Sequence, residues 1–112
     1  MEFEGEYLYN KKWTGKGYDE NGNIIYELIN GNGKVKEYEN NKLIFEGEYI
    51  NGKRNGKGKE YENKKLIFEG KYKNGKRNGK GKEYYDDKLI FEGEYLNGKK
   101  MKKKYYSDND VF

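Results

Sequence analysis

Charged residues alternate with aromatic residues or glycine along most of this chain, and the pattern returns at a fixed interval. The segment LIFEGEY at 43–49 recurs as LIFEGKY at 66–72 and as LIFEGEY at 89–95, which is a period of 23 residues. Alternation with a period of two is typical of a β-strand with one face against the core. Helical periodicity is absent, and glycine at this density would destabilise helices by about 1 kcal/mol each.

The second half of the repeat predicts a turn and a return strand. The segment NGKRNGKGKEY at 51–61 recurs without a substitution at 74–84. Asparagine followed by glycine favours a tight hairpin turn, because both residues tolerate positive φ. Two irregular copies, which begin with FEGEY at 3–7 and IYE at 25–27, precede the regular ones. We therefore predict an all-β fold: a single-layer antiparallel meander of about five hairpins.

Composition favours an open sheet over a compact globule. Hydrophobic residues make up 32% of the 112 residues and charged residues 39%, which leaves too few aliphatic side chains for a thick core. Proline, which removes a ladder donor, is absent. We place one repeat domain at residues 1–106, with repeats at about 3–22, 23–42, 43–65, 66–88 and 89–106, and a C-terminal tail at 107–112.

The charges predict which side chains share a face of the sheet. Phe45, Gly47 and Tyr49 lie on one face, whereas Glu46 and Glu48 lie on the other. The favourable register places lysines of the return strand beside these glutamates, and it brings the glycines of that strand to the aromatic face. Rings can then lie over glycine backbone. The structural glycines predicted in this way are Gly47, Gly56, Gly58, Gly70, Gly79, Gly81 and Gly93.

The aromatic and glycine positions resemble the MORN repeat (membrane occupation and recognition nexus), in its Lys/Asn-rich form. That unit runs aromatic-x-Gly-x-aromatic, then x-x-Gly, then Gly-x-Gly. The positions that fit are Phe45, Gly47, Tyr49, Gly52, Gly56 and Gly58, and likewise Phe68, Gly70, Tyr72, Gly75, Gly79 and Gly81. The chain departs from the family at Glu60 and Glu83, where an aromatic residue is frequent. The resemblance implies a twisted single-layer sheet with roles in protein binding, oligomerisation or membrane tethering.

We expect a non-catalytic interaction or scaffold module, because enzymes that carry MORN repeats keep their chemistry in other domains. A single-layer sheet has no second layer over its aromatic face. We therefore expect part of that face to stay exposed and to bind a protein or peptide partner, either extended or helical. The predicted partner-binding residues are Phe45, Tyr49, Phe68, Tyr72, Phe91 and Tyr95.

Two alternatives remain open at the sequence level. Basic residues at equivalent turns predict a rim that would tether the chain to anionic membrane lipids, although lysine at a sheet rim also serves simply to prevent association. The rim residues are Lys53, Arg54, Lys76, Arg77 and Lys99. In the other alternative the repeats are a structural spacer of a longer protein. Nucleic acid is not expected, because no basic face lies beside the rings.

The candidate chemical motifs have structural explanations. Cysteine and histidine are absent, which excludes disulfides and the common zinc sites. The segment NGKG at 55–58 lacks the glycine spacing and the hydroxyl of a phosphate loop. Glu46 and Glu48 recur opposite lysines, which indicates surface ion pairs rather than acid–base catalysis. The segment 108–110 lacks the rest of a calcium loop. We expect no cofactor and no metal.

Charge at the two ends of the chain predicts weak self-association at most. Glu2, Glu4 and Glu6 lie at one end, and Lys99, Lys100 and residues 102–104 lie at the other. Like charges disfavour symmetric edge-to-edge dimers, and opposite ends attract only weakly. We expect a monomer with weak head-to-tail association at low salt.

The longest apolar runs are three residues, too short for a transmembrane helix, and a cytoplasmic location is the expectation.

Overall fold

The computed structural model describes the backbone of residues 2–9 and 11–105 and the side chains of residues 3–9 and 11–101. Within these residues the chain is all strand and turn. The strands are β1 (Glu2–Leu8), β2 (Lys11–Tyr18), β3 (Ile24–Leu28), β4 (Gly33–Glu39), β5 (Lys42–Ile50), β6 (Lys53–Glu62), β7 (Lys65–Lys73), β8 (Lys76–Tyr85), β9 (Lys88–Leu96) and β10 (Lys99–Tyr105). The predicted all-β meander of five hairpins is confirmed. The predicted tail at 107–112 lies outside the described residues.

The meander is divided into two sheets rather than being one continuous sheet. Strands β1 to β3 form a three-stranded sheet, and β4 to β10 form a seven-stranded sheet in sequence order. An isolated bridge between Ile29 and Asn32 lies between them. The meander is therefore interrupted at the β3–β4 connection. The turn itself is again an Asn-Gly pair, Asn30 and Gly31, with φ of 52° and 79°. The interruption therefore lies in the pairing of the two strands beyond the bridge.

The register of the seven-stranded sheet agrees with the predicted pairing of charges. Glu46 lies opposite Lys59, Gly47 lies opposite Gly58, and Phe45 lies opposite Glu60. The next hairpin repeats this arrangement one period later. Each hairpin also contains a bulge, between Gly47 and Tyr49 in the first case. The bulge brings Tyr49 opposite Arg54, so the start of every return strand is shifted relative to its end.

Positive φ angles occur where the sequence predicted tight turns. Asn51 and Gly52 have φ of 52° and 77°, and Asn74 and Gly75 have φ of 51° and 88°. Both angles positive is the requirement of a type I′ hairpin. Each turn is also bonded to the preceding hairpin, since Gly75 N donates to Arg54 O at 2.8 Å. Adjacent hairpins are therefore connected at their turns as well as along their strands.

The core is a row of aromatic rings on one face of the seven-stranded sheet. Phe45, Phe68 and Phe91 are 0–1% exposed, and Tyr72 and Tyr95 are 4% exposed. The Tyr72 ring contacts Phe45 and Phe68 edge-on, with centroids 5.3 and 5.7 Å apart. The expectation that part of this face stays exposed is wrong for these five residues. Their rings are covered by charged side chains of neighbouring strands, which substitute for a second layer.

Candidate functional site

Arginine side chains cover the aromatic face. The guanidinium carbon of Arg54 lies 4.0 Å from the Phe45 ring centroid, and that of Arg77 lies 3.9 Å from the Phe68 centroid. Lys100 Nζ lies 4.5 Å from the Phe91 centroid. Cations over ring faces are attracted by the ring quadrupole. The sheet thereby closes its own apolar face, so a partner cannot reach these rings unless the cations move away.

Glutamates of the preceding hairpin hold the arginines in place. Arg77 donates from Nε and Nη2 to the two Oε atoms of Glu60, at 3.0 and 3.1 Å. The hydroxyl of Tyr72 donates to the same carboxylate. Arg54 makes the equivalent bidentate pair with Glu37 at 2.9 and 3.0 Å, and Tyr49 donates to Glu37 at 2.6 Å. Bidentate pairs with a carboxylate are among the stronger charged hydrogen bonds.

The titration of these groups follows from their partners. Burial opposes ionisation of Glu60, but the hydrogen bonds from Arg77 and Tyr72 outweigh it and lower the pKa of this carboxyl. Burial, and then the hydrogen bond to Glu60, raise the pKa of Tyr72 far above that of a free tyrosine. Burial, and then a hydrogen bond to a glutamate, also raise the pKa values of Tyr49 and Tyr95; the glutamates are Glu37 and Glu83 respectively. The cluster of Glu60, Tyr72 and Arg77 is therefore most stable with the carboxylate charged and the phenol neutral.

The predicted basic rim loses its two arginines to this arrangement. Arg54 and Arg77 expose only 24% and 26% of their side chains, and both point onto the aromatic face. Lys53, Lys76 and Lys99 remain exposed at the turns. The membrane alternative placed these two arginines and three lysines on one rim. Only the three lysines lie there in the structure. The side chains of residues 102–104 lie outside the described part of the structure.

A groove crosses the opposite face of the seven-stranded sheet. Its floor is a row of backbone positions that lie opposite one another from β4 to β9. These are Val35, Gly47, Gly58, Gly70, Gly81 and Gly93. No aromatic ring among the described residues lines the groove. The rings lie on the other side of the sheet, where a Cβ built on Gly58 would point into the Phe45 ring. The groove has a volume of about 1000 Å³ and, at about 4.8 Å per strand, is about 24 Å long.

Charged side chains form two walls along this groove. The first wall alternates strictly in charge across the strands: Lys36, Glu46, Lys59, Glu69, Lys82 and Glu92. The second wall consists of Lys34, Glu48, Lys57, Lys71, Lys80 and Glu94. It departs from alternation at three consecutive lysines. The groove is thus polar along its sides and formed by backbone at its base.

Three of the five wall carboxylates bind neutral donors rather than lysines. Glu46 accepts a hydrogen bond from Tyr61 Oη at 3.1 Å, and Glu69 accepts one from Tyr84 Oη at 3.1 Å. Glu48 accepts one from Lys57 N at 3.0 Å. Lysines do lie opposite these glutamates in the sheet, as predicted. However, no wall lysine has its Nζ within 4 Å of a carboxylate among the described side chains, so the predicted surface ion pairs are wrong.

The segment that superficially resembles a phosphate loop has a structural role in the sheet. In the segment 55–58, Asn55 accepts a hydrogen bond from Asn74 N at 3.2 Å, and Gly56 adopts a φ of 89° at the bulge. The prediction of turn and strand chemistry is confirmed there. In the described part of the chain, no three acidic, histidine or cysteine side chains converge to hold a metal ion. Nor does that part include a helix long and apolar enough to span a bilayer.

Sequence reasoning missed two sets of residues that organise the site. Glu37, Glu60 and Glu83 lie on the aromatic face, not among the solvated charges. A signal was available, because Arg54 and Arg77 each follow their glutamate partner by 17 residues. Asn55 and Asn78 were also missed. Their side chains bind the backbone of the next turn, both 19 residues later.

The repeat can be compared with known families now that its geometry is described. The sequence profile of the MORN repeat matches residues 45–63, 68–89 and 91–101. This chain belongs to the MORN repeat family. Each MORN match begins at a buried ring, Phe45, Phe68 or Phe91, so the sequence repeat and the packing repeat coincide. A comparison with curated proteins finds no match. MORN repeats are non-enzymatic modules that mediate interactions with proteins or membranes.

Proposed function

We propose that this MORN protein is a non-catalytic scaffold that binds a segment of a partner protein in the groove on its charged face. The observation that supports this is the combination of one closed face and one open face. The aromatic face is covered by its own arginines, whereas the groove of about 1000 Å³ is lined by charged side chains that are exposed or half-buried. The proposal therefore moves partner binding from the rings to the opposite side of the sheet.

The dimensions of the groove suit an extended segment. A length of about 24 Å accommodates about seven residues at about 3.3 Å each. Facing rows of lysine and glutamate offer donors and acceptors on both sides of such a chain. Exposed charge pairs are individually weak, at about 0–1 kcal/mol, so we expect a modest affinity that depends on several contacts at once.

Matched tryptophan substitutions test where the partner binds. Lys36→Trp with Lys59→Trp adds bulk to the first wall of the groove, and Lys53→Trp with Lys76→Trp adds the same bulk at the turns. We expect proteins captured by the wild-type chain to be lost with the groove variant and retained with the turn variant. Capture lost only with the turn variant would contradict the proposal.

A second measurement addresses the membrane alternative. Flotation with vesicles of phosphatidylcholine and phosphatidylserine, at low and high salt, reports binding to anionic lipid. We expect little flotation, because Arg54 and Arg77 are paired with Glu37 and Glu60. Strong flotation that disappears when Lys53, Lys76 and Lys99 become glutamate would favour a membrane tether instead.

A further inference from the structure

Three consecutive lysines interrupt the second wall of the groove. Across β5 to β9 this wall reads Glu48, Lys57, Lys71, Lys80 and Glu94. Lys57 lies directly opposite Lys71 in the sheet, and Lys80 lies opposite Glu94. Like charges directly opposite one another destabilise a sheet. The break in alternation arises at Lys71 alone, since the equivalent positions in the neighbouring repeats are Glu48 and Glu94.

The preceding hairpin shows what normally occupies this place. The carboxylate of Glu48 lies at the bulge of the β5–β6 hairpin, where it accepts a hydrogen bond from Lys57 N at 3.0 Å. Lys71 holds the equivalent position at the bulge of the β7–β8 hairpin, beside Gly79. An ammonium group cannot accept a hydrogen bond, so Lys71 cannot replace the carboxylate of Glu48 in this role. Of the side chains that the structure describes, none accepts a hydrogen bond from Lys80 N.

The ammonium groups of these lysines form no close ion pair with any side chain that the structure describes. Lys57, Lys71 and Lys80 are all exposed, and no described carboxylate lies within 4 Å of their Nζ atoms. The β7–β8 hairpin therefore has two cations, Lys71 and Lys80, and a bulge amide at the place where the β5–β6 hairpin binds a carboxylate, and Lys57 of β6 lies opposite Lys71 as a third cation. This arrangement is open to the groove.

We propose that the groove selects an acidic segment of its partner protein, with one carboxylate of that segment bound at Lys57, Lys71 and Lys80 in the place that Glu48 fills in the preceding hairpin. This inference rests on the proposed function, because it specifies the chemistry of the segment that the groove binds. A carboxylate there restores the alternation of charge across the second wall. It also supplies an acceptor at the bulge.

Three short peptides, each built from a single kind of amino acid, test the inference. The probes are fluorescein-labelled octaglutamate, octaglutamine and octalysine, measured by fluorescence anisotropy against the full chain, with amide chemical shifts of Gly58, Gly70 and Gly81 as the reporter of groove binding. We expect octaglutamate to bind, to perturb these amides, and to dissociate at high salt. Octaglutamine or octalysine that binds the groove more tightly would overturn the acidic preference and leave groove binding intact.

Charge reversal at one position provides the decisive comparison. Lys71→Glu places in β7 the residue that β5 and β9 carry already, so we expect it to fold and to weaken octaglutamate binding about fivefold or more. Lys76→Glu makes the same change of charge outside the groove and should have little effect, and Lys71→Arg should retain binding. Equal losses for Lys71→Glu and Lys76→Glu would overturn the inference.

Two further outcomes separate the inference from the proposed function. If all three peptides leave the groove amides unperturbed while groove tryptophans still abolish capture of a partner, the acidic preference is wrong and the groove proposal stands. Anionic vesicles that bind through Lys71 when octaglutamate does not would assign the site to lipid rather than to protein. That result would overturn both.

Discussion

Close contact between ring and backbone determines which residues the sheet tolerates at its glycine positions. A Cβ built on Gly58 would lie 2.6 Å from Phe45 Cε1 and 2.9 Å from Tyr72 Cε1. On Gly81 it would lie 2.7 Å from Phe68 Cε1. Neither glycine needs an unusual φ, so the requirement is one of space. The rings achieve their burial because these strand positions carry no side chain.

Gly58→Ala should destabilise the fold by overpacking. The added methyl group must displace two rings that are almost fully buried, and we expect a loss of about 1–3 kcal/mol in the free energy of unfolding. Urea denaturation followed by circular dichroism measures it. Gly75→Asn is the control, because Gly75 has nothing within 4 Å and a φ of 88° that asparagine tolerates. Equal effects of the two substitutions would show that space is not the cause.

Arg77→Met should destabilise the fold by leaving a carboxylate unpaired. Glu60 would lose both bonds from the guanidinium, and we expect a cost of about 1–3 kcal/mol. Arg77→Lys should cost less, since it keeps the charge and loses the bidentate geometry. Adding Glu60→Gln to Arg77→Met should recover part of the loss. A double-mutant cycle measures this coupling, and strictly additive losses would contradict the pairing.

Stability should fall in acid through Glu60. The pKa of this carboxyl is lower in the folded chain than its ordinary value of 4.5, so the folded state binds protons less readily than the unfolded state. The contribution of Glu60 is therefore present above its unfolded pKa and is lost as the pH falls through its folded pKa. Urea denaturation at successive pH values below about 4.5 should show a shallower decline for Glu60→Gln than for the wild-type chain.

The sequence pattern indicated which face of the sheet carries the glycines and the rings, but it did not indicate that arginines cover the rings. Phe45, Gly47 and Gly58 could be assigned to one face because strand side chains alternate. Arg54 follows a turn, and turn positions are ordinarily solvated. Only the bulge after Gly47 brings Arg54 opposite Tyr49. That register shift depends on tertiary pairing, so alternation alone assigned the arginines to the rim.

At the scale of the element, each repeat contains two turns, one within its hairpin and one that leads to the next repeat, and the two differ in how well their residues suit positive φ. Turns at 51–52, 74–75 and 97–98 use asparagine and glycine, whereas Asn63 is followed by Lys64. Lys64 has a φ of 67°, in the left-handed region, which costs a residue with a Cβ about 1–2 kcal/mol. The inter-repeat turn is thus the weaker of the two.

Lys64→Gly should stabilise the protein. Glycine removes the cost of the left-handed conformation, and we expect a gain of about 0.5–1 kcal/mol after its greater freedom in the unfolded chain is subtracted. The reverse change, Gly75→Lys, should destabilise by a similar amount, because Gly75 has a φ of 88° and no near neighbours. The urea midpoint should move in opposite directions for the two variants with an unchanged slope.

At the scale of the whole molecule, a small core joins the two sheets. Leu28 and Val35, which are 0% and 2% exposed, pack with Tyr26 at the β3–β4 junction. Trp13 O accepts a hydrogen bond from Gly31 N, and Gly31 O accepts one from Gly52 N. The extents of 50 × 27 × 16 Å describe a long, thin molecule. Repeats in such an array are stabilised chiefly by their neighbours.

Leu28→Ala should loosen one end of the molecule more than the other. The cavity is expected to cost about 2–5 kcal/mol. The cost should fall on β1 to β3, because Leu28 packs with Tyr26 and Val35 at that end of the molecule. Hydrogen exchange should become faster in the three-stranded sheet while β7 and β8 remain protected. Leu96→Ala is the control, since Leu96 is 50% exposed. Uniform loss of protection would instead indicate a single cooperative unit.

The sequence alone determined the strands, the turns, the period and the family, because alternation, Asn-Gly pairs and the 23-residue spacing are local or repeated signals. It also indicated the wall charges that define the groove. Tertiary structure decided which face is open. A bulge moved each arginine from the rim onto the rings, and the sheet divides where only the bridge of Ile29 with Asn32 joins β3 to β4. Both effects depend on pairing between strands, for which a linear pattern carries no direct signal.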